Sequence, residues 1–484
     1  MKNFTGKRKP AGVRISREKA HYEKSAEFAA KKAKTGSGYP SERPWFPFTK
    51  GGLSVESLSG IDAQYPYGIE VLFTYFYNPV YSTPGGYRFK ETLEDSEKVP
   101  LHVSIDIGIN ESNIYADYIV PDVTYLEGQY GWLTPHAPAL RFTGVRIPCI
   151  EPLTGKTAEG KPFCLETFFI DLAKTLNLPG FGDKCIPGSK GELFSLLDAE
   201  DFYLRAYANI ASNAKVAQVD DKECYFVEAN YPAARFKDKF SKDEWKQLCY
   251  MLARGGVFSS YDDVFEGNRF LHGIPRVVLY NETLASTRNS LTGKKFPGTL
   301  SCQSPTDAAG LRIAELDKDF PLTIITHKMN VHTQSRTGWH QYAMEIFPEN
   351  HIQINSEDAS LYEVASGDLV RLISASNNKG ITGKIQVTEM IRPGCLGISF
   401  HYGHSQSGAN DLMVKDAEKV FFGGRNAADD KTLKGDPALG TGTNPNMVSR
   451  LDKRLGNTPL VDTLAGIPDF SSTRVKILKL SLNA

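Results

Sequence analysis

The chain has 484 residues, with 56 basic and 56 acidic side chains and a formal net charge of zero. This length exceeds what one hydrophobic core usually fills and predicts about three structural units. Because the charges balance, no overall positive field can hold a polyanion, and nucleic acid is not an expected partner. The seven scattered cysteines, an odd number with no C-x-x-C pair, argue against a disulfide framework, a zinc ribbon or an iron–sulfur cluster in this chain.

Residues 1–60 are predicted to form an extended segment that leads into the fold. The segment begins with a Lys- and Arg-rich stretch that lacks the apolar part of a signal peptide, and the Pro-rich "YPSERPWFPF" (39–48) excludes a helix there. Its basic composition fits a binding arm, but Tyr22 and Phe28 among glutamates better fit a segment lying over a larger protein. No run approaches the about eighteen apolar residues of a membrane span.

Residues 61–180 are predicted to form part of a doubly wound parallel sheet. "IEVLFTYFYNPVYSTPGG" (69–86) and "VPLHVSIDIGINESNIYADYIVPD" (99–122) contain apolar runs that end in turn residues, which favours parallel strands buried on both faces. Stretches of helical length, such as "LETFFIDLAKTLNL" (165–178), alternate with them. Because ligands bind at the carboxyl ends of such strands, Asn78 and Asp106 are candidate binding residues.

The remainder is predicted to contain two further units. Residues 181–315 are interpreted as a connecting, partly helical insert, with helical pieces such as "KDEWKQLCYMLARGG" (242–256). Residues 316–484 contain short β-rich runs separated by Gly, Asn and Pro turns, which predicts a closed β-barrel. The runs are "FPLTIITH", "HIQINSEDA", "DLVRLISAS", "ITGKIQVTE", "CLGISFHYGH" and "STRVKILKL".

The stretch "THKMNVHTQSRTGWHQY" (326–342) contains three histidines, which raises the possibility of a metal site. His327, His332 and His340 are five and eight positions apart, spacings that match no paired-ligand motif, so metal binding is the minority interpretation. Hydroxyl, amide and guanidinium donors suit phosphate and heterocycle oxygens better, although a polar surface loop would have a similar composition. The donors that follow the histidines are Gln334, Ser335, Arg336 and Thr337.

Two further polar loops follow predicted barrel strands. "GISFHYGHSQSGANDL" (397–412) places His401 and His404 around a glycine, and "GTGTNPNMVSRLD" (440–452) contains Asn446, which can both donate and accept. Three such loops in one barrel indicate a large, flat, hydrogen-bonding ligand that carries phosphate. The sequence contains no G-x-S-x-G, Walker or G-x-G-x-x-G motif.

Two motif regions resemble the molybdopterin oxidoreductase (dimethyl sulfoxide reductase) family. "INSEDASLYEVASGDLVRLIS" (354–374) with "ITGKIQVTEMIRPGCLGISFHYGH" (381–404) is similar to that family's dinucleotide-binding barrel. Residues 75–132, which contain "YFYNPVYSTPGG" and "NESNIYADYIVPD", are similar to its guanine-binding half-domain. The resemblance implies an α/β plus β-barrel fold, in which a partial doubly wound parallel sheet precedes a six-stranded double-psi barrel.

The resemblance also implies a cofactor, bis-(molybdopterin guanine dinucleotide) with molybdenum. The residues expected at one guanosine are Asn78, Asp106 and Glu111. Those expected to line the pterin and diphosphate are His327, Gln334, Ser335, Arg336, Thr337, Asn355, His401, His404 and Asn446. The histidines are therefore interpreted as part of the wall of the cofactor site. No residue of this chain is assigned as a metal ligand or as a catalytic residue. One carboxylate, that of Asp106, can accept from both N1–H and the 2-amino group of guanine.

Within the family, residues 15–47 and the end of the insert, "LARGGVF" (252–258), are most similar to catalytic subunits of tetrathionate reductases, with respiratory arsenate reductases as neighbours. The implied reaction is reduction of tetrathionate to thiosulfate, or alternatively of arsenate, another oxyanion or polysulfide. The family's [4Fe–4S] cluster and molybdenum ligand lie in an N-terminal half that this sequence lacks. The chain is therefore expected to be inactive alone and to form the C-terminal half of a catalytic subunit.

The resemblance further implies partners. These are the N-terminal half, a membrane anchor and an iron–sulfur electron-transfer subunit. The complete enzyme is expected to be periplasmic or to lie at the outer face of the cytoplasmic membrane. Arg254, Arg336 and Arg425 are candidates, on charge alone, to hold a small anionic substrate. The rival hypotheses are a non-catalytic double-psi binding module and an inert fragment. A guanine site with Asn78 and Asp106 argues against the module, because a recognition barrel needs none.

Overall fold

The structure, a computed structural model, describes residues 22–48, 54–128, 130–135, 141–188, 190–271, 278–413, 421–422, 425–426 and 432–480. Its first region combines short helices with two small sheets. The helices are α1 (Ala26–Thr35), α2 (Ser54–Asp62), α3 (Pro79–Ser82), α4 (Phe89–Glu94) and α5 (Leu165–Thr175). The strands are β1 (Leu72–Tyr75), β2 (His102–Asp106), β3 (Tyr118–Pro121), β4 (Gly131–Leu133) and β5 (Phe142–Arg146).

The first three strands form the predicted parallel sheet, in the order β1-β2-β3. Every residue of the central strand β2 is buried, as expected for a strand covered on both faces. The same expectation is wrong for β1, where Phe73 and Tyr75 are about two-fifths exposed. Because β1 and β3 lie at the edges of the described sheet, each has a neighbouring strand on one side only.

The segment that was predicted to be extended contains the helix α1. Ser25 caps its start, because the side chain accepts a hydrogen bond from the backbone N–H of Phe28. The Phe28 ring packs edge-to-face on Tyr22 and Tyr39, so these aromatic side chains close a small cluster within the segment itself. Residues 39–48 contain no helix, as predicted from their prolines.

The insert is partly helical, as expected. Its helices are α6 (Ala199–Asn213), α7 (Asp221–Asn230), α8 (Lys242–Arg254), α9 (Glu282–Ser286) and α10 (Ile313–Leu316). Its strands are β6 (Gly182–Pro187), β7 (Leu193–Leu196), β8 (Gly256–Phe258), β9 (Phe265–Glu266) and β10 (Arg269–Phe270). Helices α6, α7 and α8 share one apolar core that includes Tyr207, Val227 and Leu248. Arg205 of α6 lies between the rings of Phe194 and Phe240 and joins the β6–β7 hairpin to this core.

All six predicted barrel runs form strands, and they close into one mixed barrel in the order β11-β15-β12-β14-β13-β22. Aliphatic side chains such as Ile324, Leu372 and Leu396 fill its interior. The more specific double-psi description stays a prediction. The barrel strands are β11 (Leu322–His327), β12 (Ile352–Ile354), β13 (Leu369–Ser374), β14 (Ile381–Val387), β15 (Cys395–Ser399) and β22 (Arg474–Lys479). The other elements here are α11 (Gln341–Ile346), α12 (Ser356–Leu361), β16 (Leu412–Met413), β17 (Phe421–Phe422), β18 (Arg425–Asn426), β19 (Thr432–Leu433), β20 (Leu451–Asp452) and β21 (Thr458–Pro459).

Strand direction decides which loops meet. β11 and β15 are parallel and end together, with His327 paired with Ser399. β12 runs antiparallel to β15, so its last residue, Ile354, pairs with Leu396 near the start of β15. The loops after β11 and β15 therefore share one end of the barrel, called here the His327 end, and the turn after β12 lies at the other. Within the described part of the chain, no helix has the length and apolar character needed to cross a membrane.

Candidate functional site

A buried carboxylate joins the parallel sheet to the barrel. Glu111 follows β2 and is 4% exposed. Its Oε1 accepts hydrogen bonds from His404 Nδ1 at 3.0 Å and from the backbone N–H groups of Ser405 and Gln406, each at 2.9 Å. Its Oε2 accepts from Asn78 Nδ2 at 2.7 Å. One side chain thus holds the end of β1 and the loop after β15 together.

The surroundings of Glu111 keep it ionised. Burial by itself raises the pKa of this carboxyl, but the hydrogen bond and charge of His404, with the donors of Asn78 and Gln406, lower the pKa to about 2. A carboxylate that accepts several hydrogen bonds is favoured in its charged form despite the loss of water. The Glu111 carboxylate is therefore ionised at neutral pH.

The carboxyl ends of β1 and β2 meet, as the sequence predicted. Asn78 begins α3, and its Oδ1 accepts from the Ser112 hydroxyl at 2.7 Å. The same hydroxyl accepts from the backbone N–H of Val80 at 2.9 Å. Because Asn78 also donates to Glu111, both its amide oxygen and its amide nitrogen have partners within the protein. Ser112 was not among the predicted residues, although it follows Glu111 directly.

Tyr81 is a second junction residue that sequence reasoning missed. Its ring is 1% exposed and stacks on His404, with 3.8 Å between the ring centroids and an angle of 12°. Its hydroxyl donates to the Tyr402 carbonyl at 2.9 Å, and its own carbonyl accepts from Asn446 Nδ2 at 3.0 Å. Helix α3 is thus fixed between the two polar loops of the barrel. A single tyrosine after Asn-Pro gives no signal of this role.

His401 and His332 organise the loop after β11. His401 is fully buried; its Nδ1 donates to the Gln334 carbonyl and its Nε2 accepts from the Met329 backbone N–H at 3.2 Å. These partners require a neutral ring, and burial correspondingly lowers the pKa of His401. His332 Nδ1 contacts the Thr337 hydroxyl and its Nε2 the Tyr402 hydroxyl, at 3.1 and 3.0 Å. The nitrogens of both rings are thereby occupied by protein groups.

The predicted donor loop lies at the surface of the His327 end. Gln334 and Arg336 are exposed, and Ser335 is half-buried. The Arg336 guanidinium donates from Nη1 to the Tyr125 hydroxyl at 2.7 Å, which links this loop to the segment after β3. His327 is also half-buried, and burial lowers the pKa of its imidazole. These groups can turn toward a ligand without breaking the buried junction.

Asp106 ends β2 on the same side of the sheet. Its Oδ1 accepts from the backbone N–H of Ile107 at 2.8 Å, and its Oδ2 accepts from Asn110 Nδ2 at 3.0 Å. The residue is 7% exposed, and burial, with some help from the charge of Asp122, raises the pKa of its carboxyl to about 6. A backbone hydrogen bond from Gly108 also reaches this carboxylate, which keeps acceptor capacity for a ligand donor.

Two predicted residues do not join this cluster, and a third has its side chain outside the described part of the chain. Asn355 follows β12 at the opposite end of the barrel, where it caps α12 and donates to Glu389 Oε2 at 3.1 Å. Arg254 ends α8 in the insert and pairs with Glu223 at 2.8 Å. The side chain of Arg425 lies outside the described part of the structure. Among the described residues, no group of three or more His, Cys, Asp or Glu side chains is arranged to hold a metal ion.

The junction retains hydrogen-bonding capacity that the protein does not use. Buried side-chain atoms without a partner among the described residues include Ser399 Oγ, His404 Nε2 and Asn446 Oδ1. A Cβ on Gly338 would come 2.4 Å from the His401 carbonyl and 2.9 Å from His404 Nε2, so only glycine fits against that nitrogen. The exposed amide and guanidinium groups of Gln334 and Arg336, at the same end of the barrel, suit a polar heterocycle with phosphate.

Comparison with known proteins agrees with this chemistry. Residues 320–421, which include the loops after β11 and β15, match the family described as the molydopterin dinucleotide binding domain. The barrel and its loops are therefore a domain of the molybdopterin dinucleotide-binding class. Together with the relatives described next, this match shows that the chain belongs to the molybdopterin oxidoreductase family.

Curated relatives align over most of the chain. It is 36% identical to a selenate reductase subunit of Mesobacillus selenatarsenatis, over 97% of this chain and 45% of that protein. It is 35% identical to a tetrathionate reductase subunit of Archaeoglobus fulgidus, over 79% of this chain and 36% of that protein. It is 33% identical to a tetrathionate reductase subunit of Salmonella typhimurium, over 84% and 40%. The chain spans less than half the length of each of these relatives.

Proposed function

We propose that this chain is the C-terminal part of the catalytic subunit of a molybdenum-dependent reductase. Its part in the reaction is to hold the bis-(molybdopterin guanine dinucleotide) at the His327 end of the barrel. The observation that carries the proposal is the Glu111 junction, at which His404 and Asn78 bring the carboxyl ends of the sheet and the barrel loops into one polar surface. When bound, the group supplies the two-electron chemistry of molybdenum held by pterin dithiolenes.

The chain's residues would divide the cofactor between them. Asp106, at the end of β2, would accept from the two adjacent donors of guanine, an arrangement that adenine does not offer. Arg336, with Gln334 and Ser335 in the same loop, would donate to phosphate and pterin oxygens. Glu111 is already saturated by protein donors, so its role would be to position His404 and α3 and not to touch the ligand.

The substrate we propose is tetrathionate, whose central sulfur–sulfur bond takes up two electrons to give two thiosulfate ions. Two tetrathionate reductase subunits, with 35% and 33% identity, support this choice. Selenate is the second candidate, because the selenate reductase relative aligns over 97% of the chain. Its reduction to selenite would consume two electrons and two protons and release water. Arsenate is a third candidate of the same oxyanion class, from a relative at 23% identity.

The rest of the enzyme would lie in other segments. The chain covers 45% of the selenate reductase relative, which leaves room for an N-terminal half with the [4Fe–4S] cluster and the molybdenum ligand. A membrane anchor and an iron–sulfur electron-transfer subunit would complete a periplasmic complex. Edge strand β1, with Phe73 and Tyr75 partly exposed, would be covered by the N-terminal half.

The test is reconstitution. The chain would be produced with and without a relative's N-terminal half, and oxidation of reduced viologen would be followed with tetrathionate, selenate and arsenate. The proposal expects no turnover by the chain alone and turnover of one of these anions after assembly, with guanine nucleotide released by acid from the assembled protein. Turnover by the isolated chain, or an assembled protein without guanine nucleotide, would contradict it.

A further inference from the structure

Two arginines, one from the barrel and one from the sheet region, contact the side chain of Tyr125. Arg336, in the loop after β11, donates from Nη1 to the Tyr125 hydroxyl at 2.7 Å. Arg146, the last residue of β5, lies over the face of the same ring, with its Cζ atom 5.1 Å from the ring centroid. Tyr125 is 49% exposed, and both arginines are exposed as well. A solute can therefore reach both positive charges.

The segment that carries Tyr125 is fixed to the sheet region. The carboxylate of Glu127 accepts from the backbone N–H groups of Thr124 and Leu153, at 2.8 and 3.0 Å. Tyr125 projects from the turn that these bonds close. Because the Glu127 oxygens face backbone donors, the negative charge of this residue is compensated within the turn.

The two arginines are held by different parts of the fold. The Arg336 carbonyl accepts from the indole Nε1 of Trp339. A Cβ on Gly108 would come 2.6 Å from the Trp339 ring, so the loop after β11 lies directly against the end of β2. Arg146 is held from the sheet region, where its Nη2 donates to the Tyr130 carbonyl at 3.2 Å. The two positive charges thus meet at the seam between sheet and barrel.

Two cations on one neutral side chain favour the binding of an anion. The hydroxyl oxygen and the ring face of a tyrosine each attract a cation, but they carry no net charge that would offset the repulsion between two guanidinium groups. A guanidinium has five N–H donors, and the bond from Arg336 to Tyr125 uses one of them. Such forked donors match the oxygens of a small oxyanion. Arg254, by contrast, already pairs with the Glu223 carboxylate at 2.8 Å.

We propose that Arg146 and Arg336, which both contact Tyr125, bind the substrate anion before it reaches the cofactor. The ligand is a small oxyanion with two or more negative charges, such as tetrathionate, selenate or arsenate, and this role rests on the function proposed above. The site belongs to the His327 end of the barrel, because Arg336 lies in a loop of that end. Its effect is electrostatic: it raises the local concentration of the anion, and salt weakens it.

The first test uses the assembled reductase and whichever of these anions it reduces. Arg146→Gln should raise KM by about tenfold at low ionic strength and leave kcat unchanged, and the difference should shrink in about 0.5 M sodium chloride. Arg146→Lys, which keeps the charge, should restore most of the loss. Tyr125→Phe, which removes only the hydroxyl, should raise KM by less. Arg254→Gln is the matched control and should leave KM unchanged.

Two results of this test would overturn the anion site. One is an unchanged KM in Arg146→Gln, above all if the variant instead loses guanine nucleotide, because Arg146 would then serve the cofactor. The other is an equal rise of KM in Arg146→Gln and Arg146→Lys, because the positive charge would then not be the cause.

Binding by the full chain alone separates this site from the proposed function. The chain, with isotope-labelled arginine, would be titrated with tetrathionate, selenate and arsenate at an ionic strength kept constant with sodium chloride. The side-chain N–H resonances of Arg146 and Arg336, assigned with the variants, should shift and saturate, whereas that of Arg254 should not. Saturable shifts in a chain whose assembled enzyme reduces none of the anions would leave the site and remove the proposed function. Absence of a shift at Arg146 with all three anions would remove the site even if the assembled enzyme is active.

Discussion

Replacing Glu111 by glutamine tests the junction between sheet and barrel. The carboxyl pKa falls from its ordinary 4.5 to about 2, and at about 1.4 kcal/mol per pKa unit this shift corresponds to about 3 kcal/mol in favour of the folded state. Because the folded pKa is depressed, this contribution is complete above pH 4.5 and is lost as the pH falls toward 2. Glutamine keeps the acceptor facing His404 but places an NH2 group opposite Asn78 Nδ2.

The assay is hydrogen exchange at neutral pH in residues 106–113 and 401–408, the two segments that Glu111 joins. A loss of about 3 kcal/mol in stability predicts that hydrogen exchange in both segments becomes faster by about a hundredfold. In the variant, protection from exchange should not fall further between pH 4.5 and 2. Glu127→Gln is the control, because Glu127 also has low exposure but accepts from the backbone of Thr124 and Leu153, away from the barrel. Unchanged exchange in Glu111→Gln, or equal acceleration in the control, would refute the reasoning.

Three further substitutions test single residues of the site. Because the pKa of Asp106 is raised in the folded state, the protein loses about 3 kcal/mol of stability as the pH rises from 3.8 to about 6. Asp106→Asn should remove this pH-dependent loss and should also lower the guanine nucleotide content of the assembled enzyme. Unfolding measured as a function of pH checks the first effect, and nucleotide release checks the second. Arg336→Ala should reduce cofactor occupancy, whereas His340→Ala, at an exposed position in the same loop, should change it little; molybdenum analysis of both variants decides. Gly338→Ala should displace the carbonyl of His401 and lower cofactor content without loss of the barrel, checked by nucleotide release and circular dichroism.

The regular parts of this fold could be predicted because each has a local pattern. The barrel strands, such as Leu322–His327 and Ile381–Val387, are short apolar or alternating runs bounded by turn residues. The helix Leu165–Thr175 has the expected length and apolar spacing. Helix Ala26–Thr35 was missed, because its basic composition hides the capping by Ser25 and the packing of Phe28. The aromatic partners of Phe28, Tyr22 and Tyr39, lie outside the helix in the same segment.

The site was only partly predictable, for geometric reasons. Asn78 and Glu111 were expected at the guanosine and His404 at the pterin and diphosphate. The structure brings the three side chains into contact, because they follow strands that end at neighbouring edges. Asn355 was grouped with His404, but it lies at the opposite end of the barrel. The direction of β12 relative to β15 depends on the strand order of the barrel, which a linear pattern does not contain. Tyr81 was missed, because its role depends on a ring stack across more than three hundred residues.

The most direct test of the central claim is a comparison of hydrogen exchange in the assembled reductase with its cofactor and after cofactor depletion. If the His327 end of the barrel and the adjoining sheet edge hold the dinucleotide, loading should protect the loops at residues 327–340, 401–408 and 441–446, together with residues 106–113. The turn at Asn355, at the opposite end of the barrel, should exchange at the same rate in both states. Protection at Asn355 with none in the four segments would contradict the account.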